Sequence, residues 1–570
     1  MRTKIVNSAV IFVFLFLAFG LFNLQVIQGN RYRELSNKNC IRLLPQPGTR
    51  GRILDRQGNI IVDNYLSYDV MILPQEEKGL EKSLTKISGV LGRSPQDLKE
   101  AFNSGFTVPF LPVTVAKNID LKKVFALEEL KPGLANIIIQ PHPQRVYPYK
   151  RLACHVLGYL NEIDHWRLRK LADYGYKAKD IVGFGGVEEK YDYYLRQEEG
   201  GSSVEVDHRG RIVRLLGFRP PQSGKDIQLT LDLRIQKIAE DKLRDKKGSV
   251  ILMEPYTGEI LALANNPNFA PSIFMEKSEA SITNLFNNPH APLINRAISG
   301  LYPAGSVFKL ILATAALETG KINPETTFSC PGTMHIGRQE FSCWDRHNQQ
   351  NLYNAITHSC NIFFYRTGLL LGAQLIHNYA LKFGLSKPTG VELPYEAGGF
   401  VPSPLLKRIY KFQNWFDGDT ANLSIGQGEL LVTPLQISRM MAVFANKGIL
   451  ITPYIVKAIE GQRITSQRKI TRVPIKESTI DYIRGALKNV IADPNGTGNV
   501  LSNLSVSVAG KTGTAQVAPG QKSHGWFAGF FPFENPKFVI CVLLEHGGSG
   551  FASCVLAREI IEAMIKEGVL

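Results

Sequence analysis

The run YPAGSVFKLILATAALETG, Tyr302–Gly320, decides how the chain is read. Pro303 and Gly305 punctuate the backbone before a helical run that Gly320 closes, so Ser306 is expected at a helix start. Lys309 lies three residues on, one turn along the same helical face. A serine hydroxyl is a weak nucleophile at neutral pH and needs a base beside it, a role open to a lysine amine stripped of water. Alone, Ser-x-x-Lys equally describes a capping serine next to a solvated lysine. Two further elements change that. Ser359-Cys360-Asn361 follows a predicted helix, and Lys511-Thr512-Gly513-Thr514 falls in a predicted strand near the C-terminus. Ser-x-x-Lys, Ser-x-Asn and Lys-Thr-Gly in this order are a specific combination for an activated serine.

Around these motifs the pattern is that of one folded body. From Ile227, IQLTLDLRIQKIAEDKLRDK predicts a strand and then a helix, and GSVILMEPYTGEILALANNP predicts two strands around Tyr256-Thr257-Gly258. At the other end VSVAGKTGTAQV, HGWFAGFFP and KFVICVLLEH read as strands, with FASCVLAREIIEAMIKEG as a closing helix. Strands from both ends with helices between them predict an antiparallel sheet flanked by helices, an α/β (α+β) domain. His524 and Trp526 could touch substrate from the second of these strands, but alternating aromatics more often fill a sheet core.

At 570 residues the chain is too long for one ordinary core, and 44% hydrophobic with 20% charged residues is globular composition without a repeat or low-complexity tract. The formal charge of +16 suits nucleic acid, an anionic membrane or an acidic polymer. The basic residues are scattered and no nucleic-acid motif is found, so no nucleic-acid partner is expected. No charge occurs between Lys4 and Arg31, and Ile5 to Ile27 is long enough to cross a bilayer as one helix. A cleaved signal peptide is the rival reading. No small-x-small site follows, and Asn23, Gln25 and Gln28 come next, so an uncleaved anchor over residues 1–30 is expected. Arg31, Arg33, Lys38 and Arg42 put more positive charge after the helix than before it; the body is placed outside the membrane on its chemistry instead. Residues 31–226 read as a mixed pedestal. It opens on PGTRGRILDRQGNIIVDN, continues through a helix-patterned stretch over 79–102, and ends hinge-like near Gly183 to Asp207. Residues 227–570 form the domain with the motifs.

Of seven cysteines, Cys330, Cys343 and Cys360 combine with His347 in the spacing C-x12-C-x3-H-x12-C, three thiolates and an imidazole that suit a closed structural zinc site. The alternatives are a Cys330–Cys343 disulfide with Cys360 free, or unlinked thiols. Cys154, Cys541 and Cys554 lie in apolar runs and read as small buried hydrophobes.

From Arg50 to its end the sequence resembles a class B penicillin-binding protein, most like the elongation-type penicillin-binding protein 2 group. Beside the three motifs, Arg50-Gly51-Arg52-Ile53-Leu54-Asp55-Arg56, Gly185 to Leu195, Gly418-Asp419-Thr420 and Ile425-Gly426-Gln427-Gly428 carry the likeness. The resemblance implies a non-catalytic, dimerisation-type pedestal and a peptidoglycan D,D-transpeptidase domain of β-lactamase-like serine fold, acting in cell elongation and acylated by β-lactams. It implies that Ser306 attacks the D-Ala-D-Ala carbonyl of a stem peptide, Lys309 takes its proton, and Ser359 and Asn361 relay protons and orient substrate. Lys511, Thr512, Gly513 and Thr514 would line the strand that holds the peptide, and the N–H groups of Ser306 and Thr514 would form the oxyanion hole. No organic cofactor is implied. Some members carry zinc at positions matching the cysteine cluster, with carboxylates in place of two of these cysteines. No glycosyltransferase domain is found, so glycan polymerisation falls to a RodA-type membrane partner, with an MreC-type scaffold. Other readings of the same motifs are a division-type transpeptidase, a β-lactamase or carboxypeptidase, an acylated antibiotic sensor, and a scaffold without turnover. A β-lactamase needs a deacylating base for which no Glu stands out, and a sensor needs more spanning helices.

Overall fold

A computed structural model describes residues 2–46, 48–74, 77–106, 112–130, 137–206, 212–276, 278–464, 469–518 and 520–570. The chain forms two compact units, one from residues 1–51, 64–146 and 196–225, the other from 52–63, 147–195 and 226–570.

The first unit begins with helix Arg2–Phe22, which continues through a π-helical turn, Asn23–Ile27. Lys4–Ile27 is apolar and long enough to cross a membrane, and none of it is buried. A three-stranded antiparallel sheet follows from Ile41–Gln46, Gly200–Val206 and Ile212–Arg219. Separately, residues 68–72 of strand Ile60–Ile72 pair with Val113–Ile119. Helices Glu77–Leu91, Pro95–Gly105 and Leu121–Leu130 cover a small core that includes Val70, Leu84, Leu98, Phe102 and Leu127. The helix-patterned stretch over 79–102 is thus two helices. Gly92 breaks it at φ +70°, and a Ser94–Asp97 capping box starts the second.

The second unit is built on a five-stranded, wholly antiparallel sheet in the order Ile260–Asn266, Gly248–Met253, Phe538–Leu544, His524–Phe531, Ala509–Ala515. The three inner strands are buried at every position, as continuous apolar runs such as FVICVLL require. Helices Leu233–Leu243 and Gly550–Lys566 pack together on the sheet, and Pro434–Ala445, buried throughout, packs on its middle strands. Helix Lys309–Glu318 is buried on all sides from Lys309 to Ala316, which is why its sequence is apolar all round. The predicted α+β class and antiparallel sheet are what the chain forms.

The units interleave more than one break near residue 226 suggests. Residues 52–63 and 147–195, read from the sequence as pedestal, pack in the second unit. Ile53–Leu54 pairs in parallel with Ile227–Leu229 and antiparallel with the start of strand Ile60–Ile72, and Ile53 is fully buried. Arg52 clasps Asp226 through Nε at 3.0 Å and Nη2 at 2.7 Å. The pairings with Asp226 and Ile227–Leu229 span more than 170 residues, and no local pattern reveals them.

Candidate active site

Ser306 sits in a single 3-10 turn, Gly305–Phe308, and the α-helix proper starts at Lys309. The serine is therefore held on the tight 3-10 lead-in, and the α-helix proper begins three residues later than the expected start at Ser306. Two glycines make that lead-in possible. Gly305 (φ +57°) donates its N–H to Gly426 O at 2.9 Å, and Gly426 has φ +72°. A Cβ on Gly426 would fall 2.2 Å from Gly305 O, and one on Gly305 would fall 2.8 Å from Thr514 O. Only two residues without side chains let the serine turn nest between the Ile425–Gly428 loop and the strand Ala509–Ala515.

Lys309 has no exposed surface. Its Nζ donates to Asn361 Oδ1 at 2.7 Å, Ser359 O at 2.8 Å and Ser359 Oγ at 3.3 Å. Burial lowers the ammonium to a pKa of about 8, with the negative charge of Cys343 pulling the other way. Ser359 is held at φ +56°, a costly conformation for a residue with a Cβ, and Lys309 binds the carbonyl of that same residue. Cys360 caps the helix Asn361–Leu371, so Asn361 is its first residue and projects from a rigid start.

Ala509–Ala515 is the edge strand of the sheet. One side pairs with His524–Phe531, and Thr512, Gly513 and Thr514 line a cavity of about 1180 Å³ together with Ser306, Ser359 and Asn361. An edge strand beside a nucleophile offers unpaired backbone groups to an extended peptide, which can add as a further strand. Lys511 is fully buried behind this wall, and desolvation, reinforced by the charge of Lys309, lowers its pKa well below the usual lysine value. Trp526 is fully buried, with Nε1 donating to Pro303 O at 3.0 Å, and His524 accepts from His546 N at 3.0 Å. Neither lines the cavity, so the sheet-core reading of these aromatics holds.

Sequence reading missed several walls. Thr497, in a loop after helix Glu477–Ala492, shares a 2.7 Å hydroxyl contact with Thr512. Asn422 comes from just after the Gly418–Thr420 mark, the hairpin of Thr333–Ile336 with Gln339–Ser342 forms another side, and Gln427 belongs to the Ile425–Gly428 mark that the sequence had already singled out. The polar PNGT run at Pro494–Thr497 was the one available signal.

At the feet of that hairpin Cys330, Cys343, His347 and Cys360 bring their ligand atoms within 4.8 Å of one another. Cys343 Sγ is 3.4 Å and Cys330 Sγ 3.6 Å from His347 Nδ1. A tetrahedral zinc with ordinary bond lengths requires ligand–ligand edges of roughly 3.5–3.8 Å, so this donor set fits. All three cysteines are free thiols, without a Cys330–Cys343 bond. The hydrogen bond from Cys360 holds Cys343 well below the usual thiol range and pushes Cys360 up. Cys343 Sγ also accepts the backbone N–H of Asn361 at 3.2 Å, which ties the cluster to the serine-asparagine loop. Cys154, Cys541 and Cys554 are buried, as expected.

Residues 248–566 match the penicillin binding protein transpeptidase domain and residues 45–229 the penicillin-binding protein dimerisation domain. The chain is 32% identical over 599 residues to the peptidoglycan D,D-transpeptidase MrdA of Salmonella typhimurium, covering 98% of this chain and 95% of that one. It is similar to the penicillin-binding protein PBP2 of Helicobacter pylori, solved in complex with MreC, with a TM-score of 0.84 and 28% identity over 93% of this chain and 99% of that chain. It is also similar to a chain of a peptidoglycan synthase complex solved for the coordination of polymerization and crosslinking, with a TM-score of 0.75 and 29% identity over 98% of each chain.

Two outcomes follow from the geometry. Gly426→Ala should displace the serine turn and slow acylation by a fluorescent penicillin by about a hundredfold, the scale on which ångström misplacements act. A base that must be neutral loses activity as pH falls through its pKa. The acylation rate should therefore fall about tenfold per pH unit below about 8 and plateau above it, as stopped-flow rates between pH 6 and 9.5 would record.

Proposed function

The chain belongs to the class B penicillin-binding proteins, as an elongation-type peptidoglycan D,D-transpeptidase, and from that premise we propose that Ser306 is its nucleophile and Lys309 its base. The observation that carries the assignment is the convergence of all three motifs on one cavity, with a lysine behind it whose amine burial brings close to neutrality at working pH.

Neutral Lys309 takes the proton from Ser306 Oγ as the oxygen attacks the carbonyl of the penultimate D-Ala. The developing oxyanion is received by the N–H groups of Ser306 and Thr514, donors fixed in advance and worth a few kcal/mol in such sites. Collapse releases the terminal D-Ala, which recovers the proton by way of Lys309 and Ser359, and leaves an ester on Ser306. Asn361, held by Lys309 and by Ser342 O at 3.2 Å, orients the peptide, which lies along Thr512, Gly513 and Thr514. Lys511 supports that strand from behind. A β-lactam follows the same first step and stays on the serine.

Cys330, Cys343, His347 and Cys360 would hold a zinc ion with a structural role, since four protein ligands leave no position for substrate. Its bonds would fix Cys343 and Cys360, and with them the loop that presents Ser359 and Asn361. The apolar helix over Lys4–Ile27 would anchor the chain in the cytoplasmic membrane as a single pass, with the transpeptidase domain, residues 227–570, on the outer side where peptidoglycan is made. The likeness to proteins solved with MreC and in a peptidoglycan synthase complex supports an MreC-type scaffold and a RodA-type membrane glycosyltransferase as partners.

Fluorescent penicillin should give a stable adduct on the peptide containing Ser306, absent from Ser306→Ala; an adduct elsewhere would overturn the nucleophile assignment. Chelator-free preparations should contain about one zinc per chain by mass spectrometry, and stripping it should lower both Tm and acylation rate. A ratio well below one would remove the metal.

A further inference from the structure

A transpeptidase must attract two substrates, and the second is an amine that is an ammonium ion in neutral water. Among the described residues lining the cavity, Glu340 is the one with a formal charge; Lys309 and Lys511 lie behind the wall with no exposed surface. In a chain of net charge +16, the one formal charge in that lining is thus negative.

Glu340 is also held in place. It belongs to strand Gln339–Ser342, paired antiparallel with Thr333–Ile336. The next residue, Phe341, is buried with its ring edge-on to Tyr365 at 5.4 Å, so the strand cannot slip by one residue without turning that ring out. Both feet of the hairpin run into the cysteine cluster, Cys330 on one side and Cys343 on the other. The Glu340 side chain stays 55% exposed, and the exposed His335 imidazole lies across the hairpin with Nε2 at 3.8 Å from its carboxyl oxygen.

We propose that Glu340 is the specificity residue for the acceptor: it binds the ammonium group on the side chain of the diamino residue of an incoming stem peptide and concentrates it beside the ester on Ser306. This rests on the transpeptidase reading above. The ammonium gives one proton to solvent, the free amine attacks the ester carbonyl, and the amide C–N bond forms as the C–O bond to Ser306 breaks. The amine's second proton passes through Lys309 to Ser306 Oγ. Glu340 takes no part in these transfers; it raises the local concentration of a cation.

The test uses the full chain in detergent, a D-Ala-D-Ala pentapeptide donor whose amines are acetylated, and the tripeptide L-Ala-γ-D-Glu-L-Lys as acceptor, with hydrolysis as the reference reaction. Glu340→Gln should raise the acceptor KM about two- to fivefold, the range for loss of one partly solvated charge contact. The limiting aminolysis rate and the rate of penicillin acylation should not change. The wild-type advantage should shrink as salt rises. His335→Ala should leave the acceptor KM unchanged or lower it, because it removes a competitor for the carboxylate. A wild-type acceptor KM in Glu340→Gln would overturn the proposal, and so would equal losses in both variants, which would mark the pair as a brace for the hairpin. If the wild-type chain were not acylated by penicillin at all, the transpeptidase site would fail first and this inference with it.

Discussion

A lysine side chain without solvent must find its partners inside the protein, and the three bonds made by Lys309 shape everything around it. They reach the backbone of Ser359 and the side chains of Ser359 and Asn361, two of the three residues of the second motif. One group thereby sets the left-handed turn at Ser359, the start of the helix behind it and the direction of Asn361. The same confinement removes the water that would keep the ammonium charged. Support and chemistry come from one desolvation, so a change that wets this lysine loosens the loop as well.

Around that centre the walls meet backbone to backbone. The Gly305–Gly426 contact and the edge strand Ala509–Ala515 set the serine turn by main-chain approach, which tolerates far less adjustment than contacts between flexible side chains. The third motif offers a peptide the unpaired outer edge of a sheet whose inner strands are buried. Its placement follows from strand order, because every other strand of the catalytic sheet that approaches the serine turn is already paired on both sides.

The three motifs and the cysteine spacing were legible because each packs its chemistry into a few consecutive residues or a fixed interval. The antiparallel sheet was legible because its strands are unbroken apolar runs between turn residues. The parts that stayed hidden are non-local. Thr497 reaches the site because its loop folds back onto Thr512, and the hairpin before Cys343 lines the cavity from a pairing of two short strands that carry no strong apolar pattern. The allocation of residues 52–63 and 147–195 to the second unit was likewise invisible: RGRILDR reads as an ordinary strand and turn, and its partner, Ile227–Leu229, is a separate short run. Ser-x-Asn also concealed a strained residue, since nothing in the letters assigns Ser359 a positive φ.

That interleaving bears on how the molecule is made. Arg52 and its partner Asp226 are 174 residues apart, and at ordinary synthesis rates of about 5–20 residues per second the later segment emerges roughly ten to thirty-five seconds after the earlier one. Through that interval Ile53 and Leu54 lack their parallel partner, Ile227–Leu229. The body that contains the serine can close only after nearly the whole chain has been delivered, so the nascent polypeptide passes through a long stage with apolar strand edges open to chaperones and to other unfinished chains.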